Sequence, residues 1–343
     1  MYYLKTKLME KVINSRKKKN PFNYKKAESF EISEKDDKTI NNSYYFSACD
    51  PLKKESLYLR LGNRGENISE VWFYYKNELE EYTYEKLYFY NEEVPLKVFK
   101  KDGIWNISFG GLLKNNNGEN IDAKFIGKFE GNNNPIDFFS NMPSIRTAKA
   151  MSLDKWSKEF FEEIQKNNQV HYEEVGKLKG ILRLGNSEKE INLNCCRDHS
   201  FGKRLRSYMN NHLWLMAIND TKELNFSMVS YPSMSLLEVG NYFSSKEQVN
   251  YVLGIEYDRE SLFKDGIKKN FEMKLRLDNK EELKVLVNLE NTTKYDFEDK
   301  KYSLFEGIAS FEINGEKFRG IYEIGFNEDR SRLFNGLDLK RAK

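Results

Sequence analysis

Ten residues, Cys195-Cys196-Arg197-Asp198-His199-Ser200-Phe201-Gly202-Lys203-Arg204, gather two of the three cysteines, one of the three histidines, a carboxylate and two arginines between hydrophobic segments. If the stretch is a strand, Arg197 and His199 point to one face while Asp198 and Ser200 point to the other. Asp198 and His199 then cannot form a hydrogen-bonded dyad. A Ser-His-Asp hydrolase is disfavoured for the same reason, and no GxSxG turn occurs. A carboxylic acid enclosed by aromatic walls has its charged form disfavoured, which raises its pKa and lets it give up a proton near neutrality. That chemistry falls to Asp198, with His199 able to share or replace it because an imidazole titrates near neutral pH.

A second reading stays open beside it. Arg197, Asp198 and Arg204 can instead form a buried ion network that closes a barrel or locks two units together, with Gly202 permitting the turn. Cys195 and Cys196 read as small core residues, since nothing nearby specifies a Cys-His pair. His171 and His212 read as a linker and a strand-edge histidine, not metal ligands. Trp214 is a core residue or the floor of a ligand pocket. Lys203, Arg204 and Arg206 form a local basic patch, solvated or paired.

These residues need a scaffold, and composition limits it. Lys+Arg 56 against Asp+Glu 53 leaves a net charge of +3, too balanced for a phosphate-backbone partner, so no nucleic acid is expected. Aromatics at 14% favour pleated, half-buried surfaces. Three cysteines cannot make a disulfide framework, and no zinc-ligand spacing occurs. With no signal-peptide core and no apolar run near ~18 residues, the expectation is a soluble, cytoplasmic protein. Tyr2, Leu4, Leu8 and Val12 fall roughly on one helical face ahead of the basic run Arg16 to Lys19. They are read first as a leader helix, with weak membrane-surface contact through the N-terminus as the alternative.

A chain of 343 residues suits two domains of about 150 to 180 residues each. Short aromatic segments broken by turns run from Ser43 to Gly131, among them Ser43 to Cys49, Leu57 to Leu61, Ile68 to Tyr75 and Ile104 to Phe109. Asp102-Gly103 marks a hairpin. Leu153, Trp156, Phe160 and Ile164, at spacings of 3, 4 and 4, predict one amphipathic linker helix over 152–166. The strand pattern resumes at His171 and continues to Phe326, with Asn314-Gly315 a strong hairpin signal. The organisation expected is a leader (1–24), helical or disordered, an N-terminal domain (25–168) and a C-terminal domain (169–343). Both are all-β, antiparallel and lipocalin-like, because closing such a meander into a barrel removes its exposed edges and can enclose an apolar ligand.

The run from Arg197 to Arg204, followed by His212-Leu213-Trp214, resembles the RDHS[WF]GxR signature of double-lipocalin proteins related to hydroxyneurosporene synthase, the AttH-like group of carotenoid hydratases, kievitone hydratase and fungal Diels-Alderases. Phe201 stands where many relatives have Trp. Ser43 to Phe46 with Leu59 to Gly62, and Gly320-Ile321-Tyr322-Glu323-Ile324-Gly325, resemble the early strands and closing hairpin of that group. The resemblance implies two calycin barrels and an apolar cavity between or within them. It also implies non-redox hydration, isomerisation or cyclisation of a hydrophobic molecule, often polyene or terpenoid. It nominates Asp198 and His199 for proton transfer or orientation, Arg197 and Arg204 as supports, and Trp214 as a wall, to which Trp72 and Tyr44 are added as further substrate-binding residues. The leading expectation is a cofactor-independent lyase or isomerase with no metal; the alternative is a lipid or hydrophobic-metabolite binding protein using the same cavity without chemistry.

Overall fold

The computed structural model describes residues 2–30, 37, 39–89, 92–132, 134–166, 169–232, 234–245, 248–264 and 267–332. Helix α1 (Tyr2–Lys19) and the short α2 (Tyr24–Glu28) precede strands β1 (Ile40–Asp50), β2 (Glu55–Arg64), β3 (Ile68–Lys76), β4 (Glu81–Tyr88), β5 (Leu96–Lys101), β6 (Ile104–Asn115), β7 (Asn120–Gly131) and β8 (Ile136–Asp137). Helices α3 (Ser144–Leu153) and α4 (Lys158–Lys166) follow, then β9 (Gln169–Leu184) and β10 (Ser187–Lys203). Strand β10 pairs with both β9 and β1, which closes β1, β2, β3, β4, β6, β7, β9 and β10 into an antiparallel barrel. Phe46, Phe73, Phe109, Phe125 and Phe129 fill its interior.

The second sheet comprises β11 (Asn211–Ile218), β12 (Glu223–Tyr231), β13 (Met234–Ser245), β14 (Gln248–Tyr257), β15 (Asn270–Leu277), β16 (Glu282–Leu289), β17 (Thr293–Phe297), β18 (Tyr302–Ile313) and β19 (Glu316–Asn327). Strand β18 pairs back to β16, so these strands also run round a ring, with a core around Phe226, Met273 and Phe311. The expected all-β, two-barrel architecture is therefore present. Both hairpin signals form as read: Asp102 and Gly103 take φ of 51° and 81°, and Asn314 and Gly315 take 50° and 85°. These left-handed pairs match the twist of the strands they join.

Two expectations change. The strands from 169 to 203, assigned to the C-terminal domain, complete the first barrel, so the chain crosses over after Lys203 and not at Gln169. The reason is non-local: β10 finds its partner in β1, far back in the chain. The expected last residue of the first domain, Asn168, and residues 333–343 lie outside the described residues. The single linker helix over 152–166 is two helices, with Trp156 between them donating its Nε1–H to Met151 O (2.8 Å). Helix α3 escapes a periodicity search because its buried positions include Ala148, Ala150 and Ser152, small residues that let it sit close. The leader is helical: α1 buries Met9 and Ile13 against α3 and α4, beside Met151 and Phe160.

Helix α2 caps the mouth of the first barrel over β10. Arg197, fully buried, donates to Glu28 (2.7 Å), to Glu174 (3.3 Å) and to the Tyr24 hydroxyl (3.1 Å), and its guanidinium lies over Trp105 and Tyr172. Burial opposes ionisation of Glu28, but Arg197, with bonds from Lys100 and Tyr172, overcomes it and holds the carboxyl below its ordinary pKa. Replacing Arg197 by Leu removes the cation paired with the buried Glu174 and one of the two cations on the part-buried Glu28. Such losses cost about 3–5 kcal/mol, and urea denaturation of Arg197→Leu is expected to show a drop of that order. A change no larger than a surface substitution would mean that α2 does not stabilise the barrel through this contact.

Candidate active site

Alternation along β10 sends Cys195, Arg197 and His199 to the barrel side and Cys196, Asp198 and Ser200 outward, toward the second barrel. Pairing extends the outward set sideways. Asp198 lies opposite Glu173 on β9 and Tyr45 on β1, Tyr45 opposite Arg60 on β2, and Arg60 opposite Trp72 on β3. One ladder row of the first barrel is thus Glu173, Asp198, Tyr45, Arg60, Trp72. In the second barrel Ser227, Trp214, Glu323 and Glu306 form the matching row over β12, β11, β19 and β18. The rows face each other: the Tyr45 hydroxyl donates to Glu306 Oε1 (2.6 Å), Tyr45 meets Trp214 edge-on (5.7 Å between centroids), and Trp72 stacks on Tyr295 (4.2 Å).

Between the rows and the α1, α3 and α4 helices lies a cavity of about 1010 Å³, lined by Tyr45, Arg60, Trp72, His171, Asp198, Arg204, His212, Trp214 and Glu323 among others. Asp198, Arg204, Trp214 and Trp72 of the sequence-nominated residues reach it. Tyr44, Arg197 and His199 do not. Tyr44 stacks on His199 (4.3 Å) near Trp105, on the barrel side. His199 Nε2 lies 2.8 Å from Asn42 Oδ1, and its Nδ1 lies 2.6 Å from the Tyr172 hydroxyl, whose single proton goes to Glu28. Burial, with the charges of Arg197 and His171, pushes the His199 pKa down to about 2, so it carries no exchangeable proton near neutrality. Cys195 and Cys196 are buried with thiols pushed well up by burial, which leaves no thiolate to act as nucleophile.

Asp198 has His171 as its partner, not His199. His171 Nε2 lies 2.9 Å from Glu173 Oε1 and 3.3 Å from Asp198 Oδ2. Asp198 is 8% exposed, and its Oδ1 is buried without a hydrogen-bond partner. Burial raises the Asp198 pKa, opposed by His171 and Arg204. Burial likewise lifts Glu173 to about 7. For His171 burial works against the charged form, but the two carboxylates prevail and raise it to about 9. Of the three, Glu173 is the one held within the neutral range.

The opposite wall carries groups for which the sequence reading found no role. His212, expected at a strand edge, is buried, accepts from the Tyr302 hydroxyl at Nδ1 (2.5 Å) and donates from Nε2 to Glu323 (2.6 Å). Glu323, part-buried, and Glu306, fully buried, are cross-strand neighbours. Burial and the Glu323 charge raise Glu306 to about 8, whereas at Glu323 burial is overcome by His212, Arg204 and Arg206, which hold it down at about 2. The pair keeps one proton. A signal existed in both cases, since Glu306 and Glu323 each sit among hydrophobic neighbours in the middle of a strand, away from the charged ends. All three residues of the basic patch line the cavity, and Lys203 also pairs with Asp37 (2.9 Å).

Two groups have metal-compatible spacing, His171 with Glu173 and Asp198, and Glu173 with Cys196 and Glu223, each offering ligand atoms within 4.8 Å of one another. In the first, His171 must lose its proton before it can ligate. Because the folded-state pKa of His171 lies above that of free imidazole, its contribution to stability is complete below pH ~6.5 and is lost as pH rises through about 9. The urea midpoint is expected to fall between about pH 7 and about pH 9, and His171→Gln to flatten that fall. An equal fall in the variant would assign it to other groups.

A family model described as a domain of unknown function (DUF7064) matches residues 135–328. No curated protein matches the sequence. Among solved structures, a protein described as AttH from Nitrosomonas europaea has a TM-score of 0.55 at 9% identity, over 83% of this chain and 92% of its own. CghA with Sch210972 gives 0.50 at 8% identity, over 84% and 88%, and kievitone hydratase from Nectria haematococca 0.49 at 10% identity, over 88% and 94%. At these identities the likeness is one of fold, and it agrees with the two-barrel architecture described above. The family model covers more than half of the chain, from the strand before α3 to the end of the second barrel, and the chain belongs to the DUF7064 family.

Proposed function

We propose that the protein is a cofactor-independent acid–base enzyme that hydrates, isomerises or cyclises a hydrophobic small molecule in the cavity between the barrels. The observation that carries this reading is the Asp198 carboxyl, which faces the cavity with one oxygen on His171 and the other without a partner. A buried carboxyl oxygen left open is a costly arrangement, and a substrate hydroxyl or reacting C–H would complete it as donor to the carboxylate, or a C=C as acceptor of the carboxylic acid's proton. Asp198 is the residue assigned to move the proton, with His171 and Glu173 restoring it. Trp214, Trp72 and Tyr45 form the apolar walls and Arg204 biases the charge state. In a hydration, Asp198 would deliver its proton to one alkene carbon while water adds to the other, and the oxonium proton would return to the trio, so that the elements of one water are gained. The two-barrel likeness to AttH and CghA supports the reading, and we place the chain on the RDHS[WF]GxR-bearing side of that fold on its octapeptide.

Native mass spectrometry of the purified protein, followed by incubation with the co-purifying molecule, tests this. The expected result is a lipid-sized ligand whose mass changes by one water or whose isomer composition shifts. Asp198→Asn is expected to lower turnover by about 10²- to 10⁴-fold while keeping affinity and fold. Unchanged turnover in that variant would remove Asp198 from the chemistry, and binding with no turnover in either protein would make this a carrier. Chelator treatment should leave the rate unchanged; loss of activity would reassign His171, Glu173 and Asp198 to a metal.

A further inference from the structure

Helix α1 is apolar on two sides. Met9 and Ile13 are buried in the body of the protein, and Lys5 and Lys17 fix the helix there by donating to the carbonyls of Asp154 (2.7 Å) and Met142 (2.5 Å). On the other side Leu4, Leu8 and Val12, one helical turn apart, are 72%, 56% and 39% exposed. Lys11, Arg16, Lys18 and Lys19 surround this stripe, exposed and with no carboxylate partner among the described residues, and Glu10 is the only acidic residue of the helix. The stripe does not end on bare surface. Val12 and Arg16 stand on the cavity rim, where Phe139 and Leu205 are themselves 48% and 46% exposed.

Leucine and phenylalanine side chains grouped this way on a monomer mark a surface that is covered in use. The ring of cations selects the cover. A second copy of this chain would bring the same lysines face to face, and a neutral apolar partner would bury them unpaired. An anionic bilayer surface meets both halves, with the acyl boundary accepting the leucines and the headgroups pairing with the lysines. We infer that α1 and the cavity rim dock on an anionic lipid surface, so that the cavity mouth opens onto the interface. Among the described residues no helix is long and apolar enough to cross a membrane, and the geometry is that of a helix lying in the interface plane. The docking stands independently of whatever chemistry the cavity performs.

Co-sedimentation of the full chain with phosphatidylcholine vesicles, with and without phosphatidylserine, tests it. Binding is expected only when phosphatidylserine is present and is expected to weaken as salt rises. Leu4→Asp combined with Leu8→Asp should lower the partition coefficient by about tenfold or more, and Lys18→Glu with Lys19→Glu should act in the same direction, with thermal unfolding unchanged because all four side chains are exposed. Absence of phosphatidylserine-dependent binding, or binding indifferent to both double variants, overturns the inference. So does a dimer in sedimentation velocity that the leucine variant dissolves in a protein that ignores vesicles.

Discussion

Strand β10 belongs to the first barrel yet supplies one wall of the space between the barrels, and its two-residue period divides the polar residues of the chain's most reactive stretch into two sets that never meet. Arg197 and His199 go to the barrel mouth, where α2 covers them. Asp198 and Ser200 go to the cavity. The pleat allows no intermediate outcome, because a one-residue slip would exchange the sets and drive Arg197 into the interface. Pairing with both β9 and β1 over nearly its whole length fixes the register. The ion network around Arg197 thus lies on one face of the strand, and Asp198 faces the cavity on the other.

The space between the barrels holds more ionisable groups than a hydrophobic interface would. Burying an unpaired charge costs several kcal/mol, and the interface meets this by matching signs: Arg60 with Glu70, His171 with Asp198 and Glu173, His212 with Glu323, Arg319 with Glu290. Where cations run out, protonation takes their place. Burial lifts Glu306 to about 8 and Glu223 well above the carboxylate range, so both remain neutral. Arg204 and Arg206 share the same space, and burial beside Arg204, Arg64 and Arg60 pushes Arg206 well down, so each neighbourhood, and not a surplus of one sign, sets which groups stay neutral.

How much of this the sequence carried depends on distance along the chain. Local signals were legible: the aromatic alternation, the Asp102-Gly103 and Asn314-Gly315 turns, and the opposed faces of Asp198 and His199. Pairings between remote segments were not. Nothing near Cys196 says that β10 returns to β1, so the barrel boundary was placed a hairpin too early. His171 lies 27 residues before Asp198 and becomes its partner only through β9 pairing. Glu323 stands within the closing-hairpin pattern, but its place at the cavity depends on the row of the second barrel that faces Asp198. Side-chain direction follows from neighbours, whereas site membership follows from ladders.

The location of the cavity follows from what fills the barrels. Phe46, Phe73, Phe125 and Phe129 occupy the first interior and Phe226, Met273 and Phe311 the second, packing that leaves the outer faces as the place where a ligand can sit. A site built there exists only when the barrels are docked. Of the contacts that dock them, Tyr45 with Glu306 joins the two facing rows and Trp72 with Tyr295 starts from one of them, while Arg319 with Ser56 and Cys49 with the Arg319 carbonyl lie four residues along the same strands. A change in how the barrels sit would therefore alter the wall positions and the charge balance of the cavity together, since the Tyr45–Glu306 contact belongs to both.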